Sequence, residues 1–146
     1  MSSPSPRPFV LLVEDSDDDA FFFQRALRKS QARFDVVRVS DGAEAIRFFE
    51  TCFPASDGRP TPVPNYIFLD LKLPFLNGFE ILEWLGNRRV LEQLKIAILS
   101  GSESVADVRR SAELGVNDYL VKPVPVSTLR ERLSDQADPQ FVASAS

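Results

Sequence analysis

The residues best equipped for chemistry in this chain are three carboxylates, a hydroxyl and an ammonium, each standing directly after a short apolar run. Glu14 and Asp15 follow Phe9–Val13, Asp70 follows Tyr66–Leu69, Ser100 follows Ile96–Leu99, and Lys122 with Pro123 follows Tyr119–Val121. Taken singly, each has an ordinary structural explanation. Acidic residues ahead of a helix are favoured by about 0.3–1 kcal/mol through the helix dipole. An Asp after a strand commonly starts a turn, and an exposed Lys is usually a solvated charge. Brought together, however, they conflict, because like charges within a few ångströms raise each other's proton affinity unless a cation neutralises them. A hard divalent cation and Lys122 resolve that conflict. Mg2+ takes oxygen ligands, keeps several waters and typically uses one or two carboxylates, so Asp15 and Asp70 are the expected direct ligands. A charge-balanced Asp70 keeps an oxygen free to attack a phosphoryl group and form an acyl phosphate. Lys122, Ser100 and a backbone N–H near Gly101 could supply the positioning and charge neutralisation that phosphoryl transfer chiefly needs.

Five elements must place these groups, and the apolar runs are those elements. The runs Phe9–Val13, Phe34–Val39, Tyr66–Leu69, Ile96–Leu99 and Tyr119–Val121 are rich in branched and aromatic residues and alternate with stretches of helical period. That alternation predicts a (βα)5 chain, an α/β doubly wound five-stranded parallel sheet covered on both faces. Ser16 with Asp19, and Asp41 with Glu44, pair a cap residue with an acidic group in the first helical turn, and Asn77-Gly78 opens a third helix. Ala20, Phe23 and Leu27 form one apolar stripe for packing on the sheet, and Gly115 ends the fourth helix. Because crossovers are right-handed, all strands end on one side and ligands gather beyond those ends. The five candidate groups therefore converge there.

Composition narrows the chemistry further. The 146 residues fit one domain, expected to span 9–135. Met1 to Pro8 holds three prolines and three serines and reads as a flexible tail, and 136–146 as a second tail whose Phe141-Val142 is a candidate dimer arm. Four prolines and one glycine in 54–64 mark a surface loop. With no histidine, Ser-His-Asp and Cys-His catalysis and His-ligated zinc are excluded. The single Cys52 cannot form an internal disulfide and reads as a small buried residue, compatible with the cytoplasm. A net charge of −4, from 17 basic and 21 acidic residues, argues against direct nucleic-acid binding. No apolar run is long enough for a membrane span.

The ordered pieces VLLVEDS at 10–16, FLDLKLP at 68–74, AILSGS at 97–102 and LGVNDYLVKPV at 114–124 resemble the receiver domain of two-component response regulators. The Pro-rich insertion and the last of these pieces most resemble the single-domain receivers that work beside bacterial phytochromes. The resemblance implies strand order 2-1-3-4-5, as in flavodoxin, and a sensor histidine kinase that phosphorylates Asp70. It implies that Asp15, Asp70 and the Lys72 main-chain carbonyl hold Mg2+, with Glu14 holding a metal-bound water. It further implies that Ser100 is the switch hydroxyl, that Lys122 contacts the phosphoryl group, and that Tyr119 is the aromatic reporting the phosphorylated state. The Lys122-Pro123 bond matches the family's cis peptide. Glu at 14 and Ser at 100 keep the functional group that the commonest Asp and Thr provide, whereas Lys72 replaces the more frequent Asn.

The output is then another protein or self-association, because few residues follow the last helix. The mixed charges of Asp107, Arg109, Arg110 and Glu113 suit pairing across a symmetric dimer as well as a solvated face. Ile81, Leu82, Trp84 and Leu85 read as helix surface packed on the sheet, and at least one ring of Phe21-Phe22-Phe23 must face outward. Two competing functions remain: a receiver-like scaffold that binds its partner without phosphate, and a flavodoxin-like electron carrier. The second needs a phosphate-cradling loop where Glu14-Asp15 would repel the phosphate.

Overall fold

The computed structural model describes residues 7–56 and 58–134. Strands β1 (Phe9–Val13), β2 (Asp35–Val39), β3 (Tyr66–Asp70), β4 (Ile96–Ser100) and β5 (Asp118–Val121) form one parallel sheet in the order β2-β1-β3-β4-β5. Helices α1 (Asp17–Lys29), α2 (Gly42–Cys52), α3 (Gly78–Asn87), α4 (Val105–Glu113) and α5 (Val126–Ser134) alternate with them. The expected α/β class and strand order are therefore those of the molecule. Two expected strand ends shift by a residue, because ladder pairing carries Asp70 opposite Leu99 and Ser100 opposite Val121. The two side chains thus sit on the last residue of a strand, where the ladder with the next strand still holds the backbone, rather than on a turn. At the start of the second strand, Phe34 lies just outside the ladder.

Alternation along the strands divides the core in two. Val10, Leu12, Phe68 and Leu99 face α1 and α5, where they meet Ala20, Phe23, Leu27, Leu129 and Leu133. Leu11, Val13, Ile67, Leu69 and Ile98 face the other way, onto Phe49 of α2 and Ile81, Leu82 and Leu85 of α3. Each fully buried aliphatic side chain contributes roughly 1.5–3 kcal/mol, so the central strands, apolar on both faces, anchor the fold. Of the four apolar residues expected to pack from α3, Trp84 is only partly buried and carries the Arg88 guanidinium 4.5 Å from its ring centroid. From the Phe triplet one ring packs inward. Phe21 and Phe22 are both exposed, since a single helical stripe covers only the Phe23 position.

Caps fix where the helices begin. Ser16, Asp41 and Asn77 each accept the backbone N–H three residues on, and Asn77 with Glu80 completes a reciprocal capping box. α4 starts at Ser104 in the same way, and Gly115 follows it with φ +98°, a conformation that favours glycine. Among α4's residues only Ser111 is buried, while Val105 and Val108 face solvent. Between α2 and β3 the Pro-rich segment folds back, with the Thr61 N–H donating to the Thr51 carbonyl at 2.9 Å. At the other end Arg7 and Pro8, expected as tail, already engage β2: the Asp35 N–H donates to the Pro8 carbonyl at 3.0 Å. Phe141-Val142 and the rest of 136–146 lie outside the described residues.

Gly78 ties the fold to the strand end that carries Asp70. A Cβ built there lies 2.7 Å from the Asp70 carbonyl oxygen and 2.9 Å from the Leu71 Cα, so only glycine allows α3 to start this close to β3. Gly86, in the same helix, has nothing within 4 Å of a built Cβ. Urea unfolding is expected to show Gly86→Ala stabilised by about 0.5 kcal/mol through the reduced freedom of the unfolded chain. Gly78→Ala is expected to lose about 1–3 kcal/mol through overpacking against backbone.

Candidate functional site

Strand register brings the acidic residues together. Val13 pairs with Leu69, so the next residues along, Glu14 and Asp70, emerge side by side at the ends of the two central strands. One ligand oxygen from each of Glu14, Asp15 and Asp70 lies within 4.8 Å of the others. Glu14 is buried to 1% exposure and is gripped from several sides. Its N–H donates to the Val39 carbonyl at 3.1 Å, and its carboxylate accepts the Ser16 N–H at 3.2 Å. Its carbonyl accepts Arg38 Nε at 3.1 Å, and Arg38 Nη1 also donates to Asp17 at 2.8 Å. The remaining Arg38 nitrogen, Nη2, is buried with no hydrogen-bond partner among the described residues.

Lys122 supplies the counter-charge. Its N–H donates to the Ser100 carbonyl at 2.7 Å, continuing the β4–β5 pairing, and its bond to Pro123 is cis, as the motif implied. The Nζ donates to Glu14 Oε1 at 2.9 Å, Asp19 Oδ2 at 2.9 Å and Asp70 Oδ2 at 3.2 Å. An ammonium has three hydrogens, and here each meets a different carboxylate. These groups line an open cleft of about 550 Å3, flanked by Phe22 and Phe23 on α1 and by Lys72, Gly101 and Val124.

The electrostatics follow from burial. Desolvation, helped by the neighbouring Asp70 and opposed by Lys122, pushes the Glu14 carboxyl up from 4.5 to about 7. For Lys122, burial pulls downward, but hydrogen bonds to Glu14 and Asp19 and the charge of Asp70 outweigh it and raise the ammonium above its ordinary range. One ammonium facing this many carboxylates leaves negative charge over, and an all-oxygen donor set of that charge suits a hard divalent cation.

Lys72, Ser100 and Tyr119, the other sequence-derived residues, stand outside the Lys122 side-chain hydrogen bonds. Lys72 presents its N–H to Asp70 Oδ1 at 3.1 Å, and its side chain is exposed. Ser100 is buried at 1% exposure and turns its hydroxyl onto the Ser102 carbonyl at 3.0 Å rather than toward Asp70. Tyr119 donates to that same carbonyl at 3.1 Å. Two residues of this network were not found from sequence. Asp19 reads there as a cap partner of Ser16, yet its carboxylate is on Lys122, and the Ser16 N–H that it was expected to cap is taken by Glu14. Arg38, on β2, was not singled out in the sequence at all. No local spacing signals either contact.

Comparison with known proteins agrees with this geometry. The family model for the response regulator receiver domain matches residues 10–134. The chain belongs to that family. Response regulator Rcp1 of Synechocystis sp. is 34% identical over 118 residues, 81% of this chain and 78% of Rcp1. The bacteriophytochrome response regulator AtBRR superposes with a TM-score of 0.74 at 35% identity, covering 91% of this chain and 94% of that one. The phosphorylated cyanobacterial phytochrome response regulator RcpA gives 0.68 at 30% identity, over 89% and 91%. Rcp1 itself, in its Mn2+-bound form, gives 0.70 at 31%, over 88% and 93%. This receiver domain is thus related to phytochrome response regulators, and among its described residues no helix is long and apolar enough to cross a membrane.

The raised Glu14 carboxyl makes stability depend on pH. Between 4.5 and about 7 the folded receiver holds a proton that the unfolded chain has lost. Its stabilising contribution is therefore complete below 4.5 and disappears as pH rises through about 7. Thermal melts in chelator are expected to show Tm falling across this window for wild type, with a flatter profile for Glu14→Gln. Lys122 titrates above its ordinary 10.5 and contributes no slope there.

Proposed function

We propose that this chain is a phospho-switch: a single-domain response regulator whose Asp70 accepts a phosphoryl group from a sensor histidine kinase, with Mg2+ as cofactor. The observation that carries this reading is the convergence of Glu14, Asp15 and Asp70, two of which, Glu14 and Asp70, also hold the Lys122 ammonium. Asp15, Asp70 and the Lys72 carbonyl would hold the cation, with Glu14 beside them, as the family resemblance implies. The solved Mn2+-bound Rcp1 and phosphorylated RcpA support both halves of the reading. When bound, the cation neutralises charge on the acidic cluster and on the entering phosphoryl group.

Transfer itself is a displacement at phosphorus. The phosphorus–nitrogen bond of a phosphohistidine donor breaks as a bond from phosphorus to an Asp70 oxygen forms, and the imidazole leaves with the electron pair. Lys122 moves a hydrogen bond from the Asp70 carboxylate to a phosphoryl oxygen, and the Lys72 N–H keeps Asp70 oriented. The protein is a phosphoacceptor that takes part in its own phosphorylation and dephosphorylation, not an enzyme acting on an external substrate.

The switch begins at the Ser102 carbonyl, which accepts both the Ser100 and the Tyr119 hydroxyls. A phosphoryl group on Asp70 draws the Ser100 hydroxyl away, the β4–α4 loop closes, and Tyr119 moves inward. The α4-β5-α5 face then changes, a population shift powered by the new charge-assisted bonds. We assign the kinase to the bacteriophytochrome class, from the relatives, and place the pathway in the cytoplasm. The output is partner binding or homodimerisation.

Acetyl phosphate with Mg2+ is expected to add one phosphoryl group by intact mass, with none added in chelator or in Asp70→Asn. An equal partner affinity with and without phosphodonor would instead identify a phosphate-independent scaffold, and a bound flavin spectrum an electron carrier. For self-association, light scattering is expected to show a dimer for the full chain and a monomer for one lacking 136–146. The same oligomeric state for both would remove the tail as a dimer arm.

A further inference from the structure

We propose that Asp19 is a positioning residue for phosphoryl transfer: from the first turn of α1 it holds the Lys122 ammonium at the mouth of the cleft and keeps it from closing onto Asp70. This rests on Asp70 being the phosphoacceptor. Lys122 Nζ lies 2.9 Å from Asp19 Oδ2 and from Glu14 Oε1, but 3.2 Å from Asp70 Oδ2. The carboxylate meant to react thus receives the longest of the three bonds. Asp19 approaches from the solvent side, with its side chain 41% exposed against 1% for Glu14 and 5% for Asp70. It is free to do so because Glu14 takes the Ser16 N–H that a capping partner would otherwise occupy.

The pull of Asp19 has a chemical consequence. A lysine shared only by Glu14 and Asp70 would sit closer to Asp70, and a fully paired carboxylate is a weaker nucleophile. Held by Asp19 as well, the ammonium stays where an incoming phosphoryl group must pass, and it can donate to that group while keeping its bonds to Glu14 and Asp19. Asp19 also acts in the opposite sense, since its negative charge repels an anionic donor. Asp18 separates the two effects: it is the adjacent acidic residue in the same turn, exposed and outside the Lys122 hydrogen bonds. Neutralising it alters the field without touching the contact.

The experiment measures phosphorylation rate with acetyl phosphate and Mg2+ at fixed ionic strength for wild type, Asp18→Asn and Asp19→Asn. Solvent exchange of the Lys122 ammonium protons is followed in parallel by NMR. Asp18→Asn is expected within about twofold of wild type in rate, with the ammonium unchanged. Asp19→Asn is expected about fivefold slower than Asp18→Asn, with faster ammonium exchange. An Asp19→Asn rate equal to that of Asp18→Asn, or a slower rate with an undisturbed ammonium, overturns the role of Asp19. A wild type that takes no phosphoryl group overturns the phosphoacceptor reading instead, and this role falls with it.

Discussion

One ammonium shared among three carboxylates is the interaction on which the working end of this molecule depends. Glu14 and Asp70 are nearly inaccessible to water, and burying charge without a partner is costly enough that such groups normally take up protons instead. Lys122 reaches both, and Asp19 in addition. Because the lysine comes from the end of β5, Glu14 from β1, Asp70 from β3 and Asp19 from α1, the contact also clasps four separate parts of the chain. Much of the surrounding architecture serves to deliver these atoms: parallel register that ends β1 and β3 together, Gly78 admitting α3 close behind Asp70, and the Lys122 N–H docked on Ser100.

The arrangement balances charge incompletely, and the imbalance is useful. A cluster fully neutralised by protein cations would have little affinity for a metal ion. Burial, with Asp70 beside it and Lys122 opposing, raises the Glu14 carboxyl to about 7, and the all-oxygen donor set left around it is of the kind that suits a hard divalent cation. Arg38 contributes without neutralising the carboxylates directly, since it binds the main chain of Glu14 and the side chain of Asp17. It fixes the β1–α1 loop from outside while the lysine fixes it from inside.

The fold was legible in the sequence because its central strands are apolar on both faces and its helix starts carry Ser, Asp and Asn caps. β1 matches its expected span, and the other strands shift by at most one residue at an end, the ladder bonds deciding how far pairing runs. Among the site residues, those standing directly after strands were accessible to reasoning, because a parallel sheet puts all such positions on one side. Asp19 and Arg38 were not. An acidic residue three positions after a Ser cap carries a strong local meaning, and only the three-dimensional approach of Lys122 displaces it. An arginine on an edge strand has no local signal that its carbonyl partner lies just past the end of the neighbouring strand. Trp84 fits the apolar period yet remains half-exposed, since a helix stripe specifies a face and not how deeply its margins sink.

α4 differs from the other helices in how it is fastened. Its only buried residue is Ser111, whose hydroxyl bonds back to the Asp107 carbonyl, and its link to α3 is Arg110, which pairs with Glu83 and covers the Phe79 ring. A helix anchored by leucines must expose apolar area when it shifts, at about 25 cal/mol per Å2. One anchored by polar contacts can exchange them for water or for other polar groups at little net cost. The helix that follows the β4–α4 loop is therefore the one whose displacement the solvent opposes least. Its outward-facing Val105 and Val108 form a surface for which the energetic gain comes only when something else covers them.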